Sequence, residues 1–235
     1  MSYRELVPPP PLRGLVECLW SSGRTASTGP VRVLPDGCMD LLVDETGGLA
    51  VAGPDTAAFV TGGGRWNTGL RFRPGVLPRL LGVPAAEVRD TRVALADVSP
   101  AAARLAGPAV PPDPGSLFRL VAGLAAGEPS RETAPWSLPA LRRVTARLGD
   151  GAAVGAVAEE LGWSTRSLTR HCTAVYGYGP AVLRRVLRFR AAATLLHAGV
   201  APAEVAARTG YSDQPHLSRE VRALAGVPAS SLRPA

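Results

Sequence analysis

Two short sets of side chains in the last third of the chain have the types and spacing to do recognition chemistry. The first is Arg166, Thr169, Arg170 and Thr173; the second is Gln214, His216, Ser218, Arg219 and Arg222. A guanidinium offers paired N–H donors that grip a phosphate or the O6/N7 edge of guanine, and a carboxamide matches the N6/N7 edge of adenine. A weaker set lies near the start. Asp36, Cys38 and Asp40 alternate along a strand, and Arg71 and Arg73 flank Phe72. Those four charged residues could meet an anionic ligand or simply pair with one another. A metal would want His or more Cys beside Asp36 and Asp40, and all three His lie beyond residue 170, so neither metal nor cofactor is expected. The first half holds no nucleophile–base set, phosphate loop or acid pair, and no enzymatic activity is expected.

The elements that position the first two sets form a doubled pattern. VAEELGWSTRSLTR runs from Val157 to Arg170, and VAARTGYSDQPHLSR from Val205 to Arg219. The offset is 48 residues up to the Ser and 49 at the Leu, so the second copy has one extra residue at the start of its second helix. In the first copy, a helix burying Val157 and Ala158 ends at Gly162, and Ser164 caps the next. Leu168, Cys172 and Val175 then share one face, which turns Arg166, Thr169, Arg170 and Thr173 outward. In the second copy Gly210 makes the turn, Ser212 caps, and Leu217, Val221 and Leu224 face inward. Pro180 opens the helix between the copies, which runs to about His197 and is about 27 Å long. Two short helices joined by a tight turn, the second exposing Arg and Thr, form a helix-turn-helix.

Charge is divided unevenly between the two parts of the chain. Residues 1–137 hold 13 Arg against 13 acids, whereas residues 138–235 hold 13 Arg against 6. All the excess positive charge therefore sits with the doubled pattern, which favours a polyanion as partner. With 46% hydrophobic and 19% charged residues the chain is globular. Three scattered Cys suit a reducing compartment. No signal-peptide pattern and no apolar run of membrane-spanning length is present, so the expected location is the cytoplasm, at the nucleoid.

The first half reads as short strands broken by turns. Pro8 to Pro11 is an extended lead-in, followed by strands within 12–20, 31–34, 38–43 and 70–72. A loop is expected over 21–30, with turns at Pro35-Asp36-Gly37, 45–48 and Gly62–Gly64. From Pro74 to about Ala106 the pattern is helical, with Ser99 capping a helix over 100–106. Another helix carries Leu117, Leu120, Val121 and Leu124. The expected fold class is α+β: a small N-terminal β-barrel or sandwich with a few helices (1–127), a linker (128–137), and an all-α C-terminal domain (138–235).

The C-terminal segments LGWSTRSLTRHCTAVYGYGPAVLRRVLRFRAA and VAARTGYSDQPHLSREVRALAGVPASSLR resemble the DNA-binding domain of the AraC family of transcription regulators. VLPDGCMDLL and GLRFRPG are similar to an N-terminal domain found in actinobacterial members. The resemblance implies two recognition helices entering successive major grooves of double-stranded DNA, with the nine residues named first as the reading surface. It departs from the family where Cys172 and Val221 stand for core phenylalanines. Further partners it implies are RNA polymerase, a second copy of the chain and a small-molecule effector held by residues 1–127, with Asp36, Asp40, Arg71 and Arg73 as candidates. Two other readings compete with this one. A DNA-repair methyl acceptor needs four clustered Cys, which are absent here. A ligand-sensing or protein-interaction module that no longer binds DNA would have little use for the outward arginines.

Overall fold

The computed structural model describes residues 3–22, 31–61 and 66–234. Residues 23–30 of the expected loop and the glycine turn at Gly62–Gly64 lie outside the described residues. The strands are β1 (Tyr3–Leu6), β2 (Val16–Ser22), β3 (Val31–Val33), β4 (Met39–Asp44), β5 (Leu49–Ala52), β6 (Phe59–Thr61) and β7 (Trp66–Phe72). After α1 (Val76–Leu81) come β8 (Arg92–Ala94), α2 (Leu95–Val98), α3 (Pro100–Ala106) and α4 (Pro114–Ala125). The rest is helical: α5 (Leu138–Gly149), α6 (Val154–Glu160), α7 (Thr165–Tyr176), α8 (Pro180–His197), α9 (Pro202–Arg208) and α10 (Gln214–Ala225). The α+β reading, strands first and helices after, holds.

Six strands form an open sheet in the order β1-β2-β7-β4-β5-β8, and β3 pairs with β6 as a separate ribbon. All described pairings are antiparallel. Alternation sends Leu19, Met39, Leu41, Val43, Val51, Leu70 and Phe72 into the main core. Cys18, Arg71 and Asp40 lie opposite one another across β2, β7 and β4, so they share the other face. A bulge between Val16 and Cys18 leaves Glu17 outside the ladder.

Local expectations failed at three places. Pro10–Leu12 is one turn of 3-10 helix instead of an extended lead-in, because Leu12 N–H reaches Pro9 O while the prolines have no N–H to leave unpaired. Arg92–Ala94, inside the stretch expected to be helical, is instead drawn into the sheet as an edge strand by pairing with β5. The cap of α10 is Asp213, whose carboxylate accepts from His216 N at 2.6 Å; Ser212 is the extra residue just before it. α7 and α10 consequently match residue for residue at an offset of 49 from their caps, Ser164 and Asp213, onward.

One core runs through both halves. Val16, Leu41, Phe72 and Leu77 belong to the same buried cluster as Leu141, Leu168, Cys172, Tyr176 and Leu183. Side chains of this size each stabilise by about 1.5–3 kcal/mol when fully buried, so their shared packing joins the sheet firmly to the first helix-turn-helix. The stretch expected to be a linker takes part, with Thr133 and Trp136 both buried. Trp136 stacks on Trp163 at 5.5 Å and lies beside Tyr176. A second core, with Phe189, Leu196, Val205, Leu217, Val221 and Leu224, builds the second unit. α8 feeds both, with Leu183 and Val186 in the first and Phe189 and Leu196 in the second. No helix among the described residues is long and apolar enough to cross a membrane.

Candidate nucleic-acid interface

In each unit a short helix, a glycine turn and a capped helix set the outer face. α6 ends at Gly162 and α9 at Gly210, both with positive φ (67° and 72°), which lets the chain reverse without the Cβ strain an L residue would carry. Ser164 Oγ then accepts from Ser167 N at 3.1 Å to start α7. Leu168, Cys172 and Val175 are buried, as are Leu217, Val221 and Leu224, and helical spacing fixes what remains outside. The smaller Cys172 and Val221 are fully covered.

Arg166, Thr169 and Arg170 are exposed on α7, and Thr173 lies half-buried on the same face. Thr169 and Thr173 donate to the carbonyls four residues back, so their hydroxyls are engaged within the helix. On α10, Arg219 and Arg222 are exposed, while Gln214, Ser218 and Arg222 share one wall of a groove of about 350 Å³ that Ser230 and Arg233 close on the far side. His216 is turned to the flank: its ring meets Tyr211 edge-on at 5.2 Å and its Nδ1 is 3.0 Å from Ser212 Oγ. The equivalent of Arg166 in the second unit is Pro215, so the two faces are not copies.

The arginines divide into two classes. On α8, Arg185 makes a bidentate pair with Glu220 at 2.8 and 2.9 Å. Arg188 lies over the Tyr211 ring at 4.3 Å, Arg184 reaches Ala152 O at 3.5 Å, and Arg190 pairs with Glu17. The interhelical arginines are therefore committed inside the molecule. Arg166, Arg170, Arg219 and Arg222, by contrast, make no side-chain hydrogen bond or ion pair with another described residue. Four unspent guanidinium groups on two equivalent helices form a surface fit for an external anion.

The sequence of residues 157–235 matches the family described as a helix-turn-helix domain. Residues 157–235 are an AraC-type helix-turn-helix domain. Domains of this type bind double-stranded DNA and serve in transcription regulation. Residues 4–94 match a domain of unknown function (DUF6597). The chain is similar to the C-terminal domain of AraT, a response regulator from Geobacillus stearothermophilus, with 27% identity over 40% of this chain and 84% of that one and a TM-score of 0.37. It is also similar to ToxT from Vibrio cholerae in its 1.65 Å structure, with 10% identity over 86% of this chain and 88% of that one and a TM-score of 0.45. A second structure of ToxT, from Vibrio cholerae O395, gives 10% identity, 86% of each chain and a TM-score of 0.39. No curated protein matches the chain.

In front of the AraC-type domain, three of the four charged residues singled out as effector candidates come together and the fourth does not. Arg71 Nε lies 3.3 Å from Asp36 and 3.6 Å from Asp40, with Glu5 at 3.7 Å from its Nη1. Arg73 instead donates to Arg13 O at 2.8 Å, away from that cluster. Trp20 Nε1 donates to Asp40 at 2.8 Å. Burial pushes the Asp40 carboxyl up to about 6, against the pull of Arg71. A carboxyl that holds its proton more tightly when folded adds stability below its unfolded value, near 4, and that contribution is lost as pH rises through about 6. Asp40→Asn, which keeps an acceptor for Trp20, should therefore gain stability relative to the parent between pH 4 and pH 7. Urea midpoints of both chains across that range would measure it; a difference that stays constant with pH would contradict the assignment.

Two residues that sequence reasoning passed over also touch the AraC-type domain. Arg89 Nη1 donates to Gly177 O at 3.2 Å, and Arg32 Nη1 to Ala225 O at 3.0 Å. Their partners lie far along the chain, so no local spacing marks them.

Proposed function

We propose that the chain is a sequence-specific transcription regulator that places α7 and α10 in successive major grooves of duplex DNA. The observation that carries this reading is the contrast among arginines: those on α8 are satisfied within the fold, whereas Arg166, Arg170, Arg219 and Arg222 on the two second helices have no side-chain hydrogen-bond or ion-pair partner among the described residues. Arg166, Arg170 and Arg219 suit guanine edges. Gln214, Ser218, Arg222 and Arg233 around the groove suit a backbone phosphate and, through Gln214, an adjoining adenine. A surface with this charge gives binding that weakens steeply with salt. Neutralising about six phosphates implies a loss of about 10³ in affinity between 50 and 200 mM salt.

Selection of genomic fragments by the full chain, followed by anisotropy titrations across that salt range, tests the reading. The expected result is enrichment of fragments sharing one motif, bound far more tightly than random DNA. Fragments with no common motif, bound no better than random DNA, would refute sequence-specific regulation.

A further inference from the structure

The repeat of the two units does not stop at their second helices. At the 49-residue offset Gly177 and Gly226 both end a helix with positive φ (82° and 70°), and Leu183 and Leu232 are both buried. Arg184 and Arg233 are equivalent too. Each donates to a carbonyl in the loop before its unit's first helix, Ala152 O at 3.5 Å and Gly199 O at 3.3 Å. The start of α8 is therefore the third helix of the first unit, and the 3-10 turn Ala229–Leu232 is its counterpart in the second.

With the two frames matched, the units differ in two places and in opposite senses. On the reading face, α7 carries Arg166 and Arg170 about 6 Å apart along its axis. α10 has Pro215 at the first of these positions and Arg219 at the second. On the flank towards the third helix, the first unit carries Thr165, Thr169 and Thr173. The last two spend their hydroxyls on helix carbonyls, and Thr169 lies against Gly179, where a Cβ would be 3.6 Å from its Cγ2. In the second unit the same three positions are Gln214, Ser218 and Arg222, which open on the groove of about 350 Å³ that Ser230 and Arg233 close. Arg222 and Arg233 are both exposed, and the bond from Arg233 Nη2 to Gly199 O leaves its remaining N–H donors for the groove. The α10 N-terminus is no substitute as a seat for an anion. Asp213 holds its carboxylate there, accepting from His216 N, and Pro215 has no N–H to offer.

Building on the DNA-binding reading, we infer that the two units divide the work: the first discriminates bases with the Arg166–Arg170 pair, and the second holds the duplex by a backbone phosphate seated between Arg222 and Arg233. Ser218 and Ser230 complete the seat with hydroxyl donors. Arg222 follows Arg219 by three residues and Ser218 by four, so it borders both the reading face and the groove. A phosphate at the edge of the second major groove comes to this cleft while Arg219 meets its one base. Paired guanidinium groups grip a phosphate whatever the sequence, whereas arginines one helical turn apart reach guanines on neighbouring base pairs. The cognate site is consequently unequal, with two guanines fixing its first half and one its second.

Arg222→Ala in the full chain should weaken binding about tenfold, the low end for a hydrogen bond to a charged group, and by the same factor on the selected site and on its single-base variants. The slope of log affinity against log salt should fall by about 1. Arg104→Ala, which removes an exposed arginine from α3, should change neither. The first half-site should show two guanines whose replacement costs affinity in the parent but not in Arg166→Ala or Arg170→Ala respectively, and the second half-site one, tied to Arg219. A change of base preference in Arg222→Ala, a salt slope that stays put or falls equally in Arg104→Ala, or a second half-site as discriminating as the first would overturn the division. Inorganic pyrophosphate, followed through the arginine Nε–H signals by NMR, reads the cleft without DNA. Arg222 and Arg233 should respond together, at lower concentration than Arg166 and Arg170, and Arg222→Ala should abolish the Arg233 response. If that holds while the parent binds no selected DNA, the cleft stands and the DNA-binding reading fails; if Arg222 and Arg233 do not respond, the cleft itself is wrong.

Discussion

Arg170→Ala and Arg219→Ala should each weaken binding to the cognate DNA site by about 1–3 kcal/mol, roughly five- to 150-fold, and relax discrimination at the base each reads. The two residues are equivalent at the 49-residue offset, and both project from the middle of an exposed helix face. Neither makes a side-chain bond with another described residue, so truncation leaves nothing unpaired inside the protein. The melting temperature should therefore stay within a degree or so of the parent, since a surface change of this kind costs within about 0.5 kcal/mol. A loss confined to non-specific affinity, uniform across sequences, would instead assign these arginines to phosphates. Anisotropy titrations on the selected site and on single-base variants of it would separate the two outcomes.

The second large effect concerns stability. Gly75→Ala should lower stability by about 2–4 kcal/mol and the melting temperature by about 5–15 °C. Gly75 has φ 77°, and a Cβ there would stand 2.6 Å from Val175 Cγ1 and 2.9 Å from both Leu141 Cδ1 and Tyr176 Cε1. All three neighbours are buried side chains of the C-terminal half, with little room to withdraw. Gly162→Ala is the matched control. It has φ 67° but open space around it, so it should show only the backbone strain, about 1 kcal/mol. Equal losses in both variants would mean that the halves are not packed together at Gly75.

How far the sequence alone reaches is clear from particular residues. The 3.6-residue period places Leu168 and Cys172 inside and Arg166 and Arg170 outside because that rule is local, and the structure has the same sides. Caps are as legible when only one side chain competes: Ser99 and Ser164 cap as expected. Where Ser212 and Asp213 stand together, the carboxylate wins, and Ser212 goes to His216. Arg92–Ala94 could not be read as a strand, since its pairing depends on β5 some forty residues away. Trp136 sits among Pro and Ser in a stretch that reads as connector, yet stacking on Trp163 buries it. The arginines of α8 mark the limit most plainly. By composition they look like a basic face, and only the fold shows Glu220, Tyr211 and Glu17 beneath them.

Dimethyl sulfate protection of guanine N7 on the selected site, with the full chain, tests most directly whether both helices read DNA. The expected result is two protected clusters on one face of the duplex, about one helical turn apart. Arg170→Ala should erase one cluster and Arg219→Ala the other. Protection of a single cluster, or two clusters that both survive either substitution, would contradict the two-headed reader.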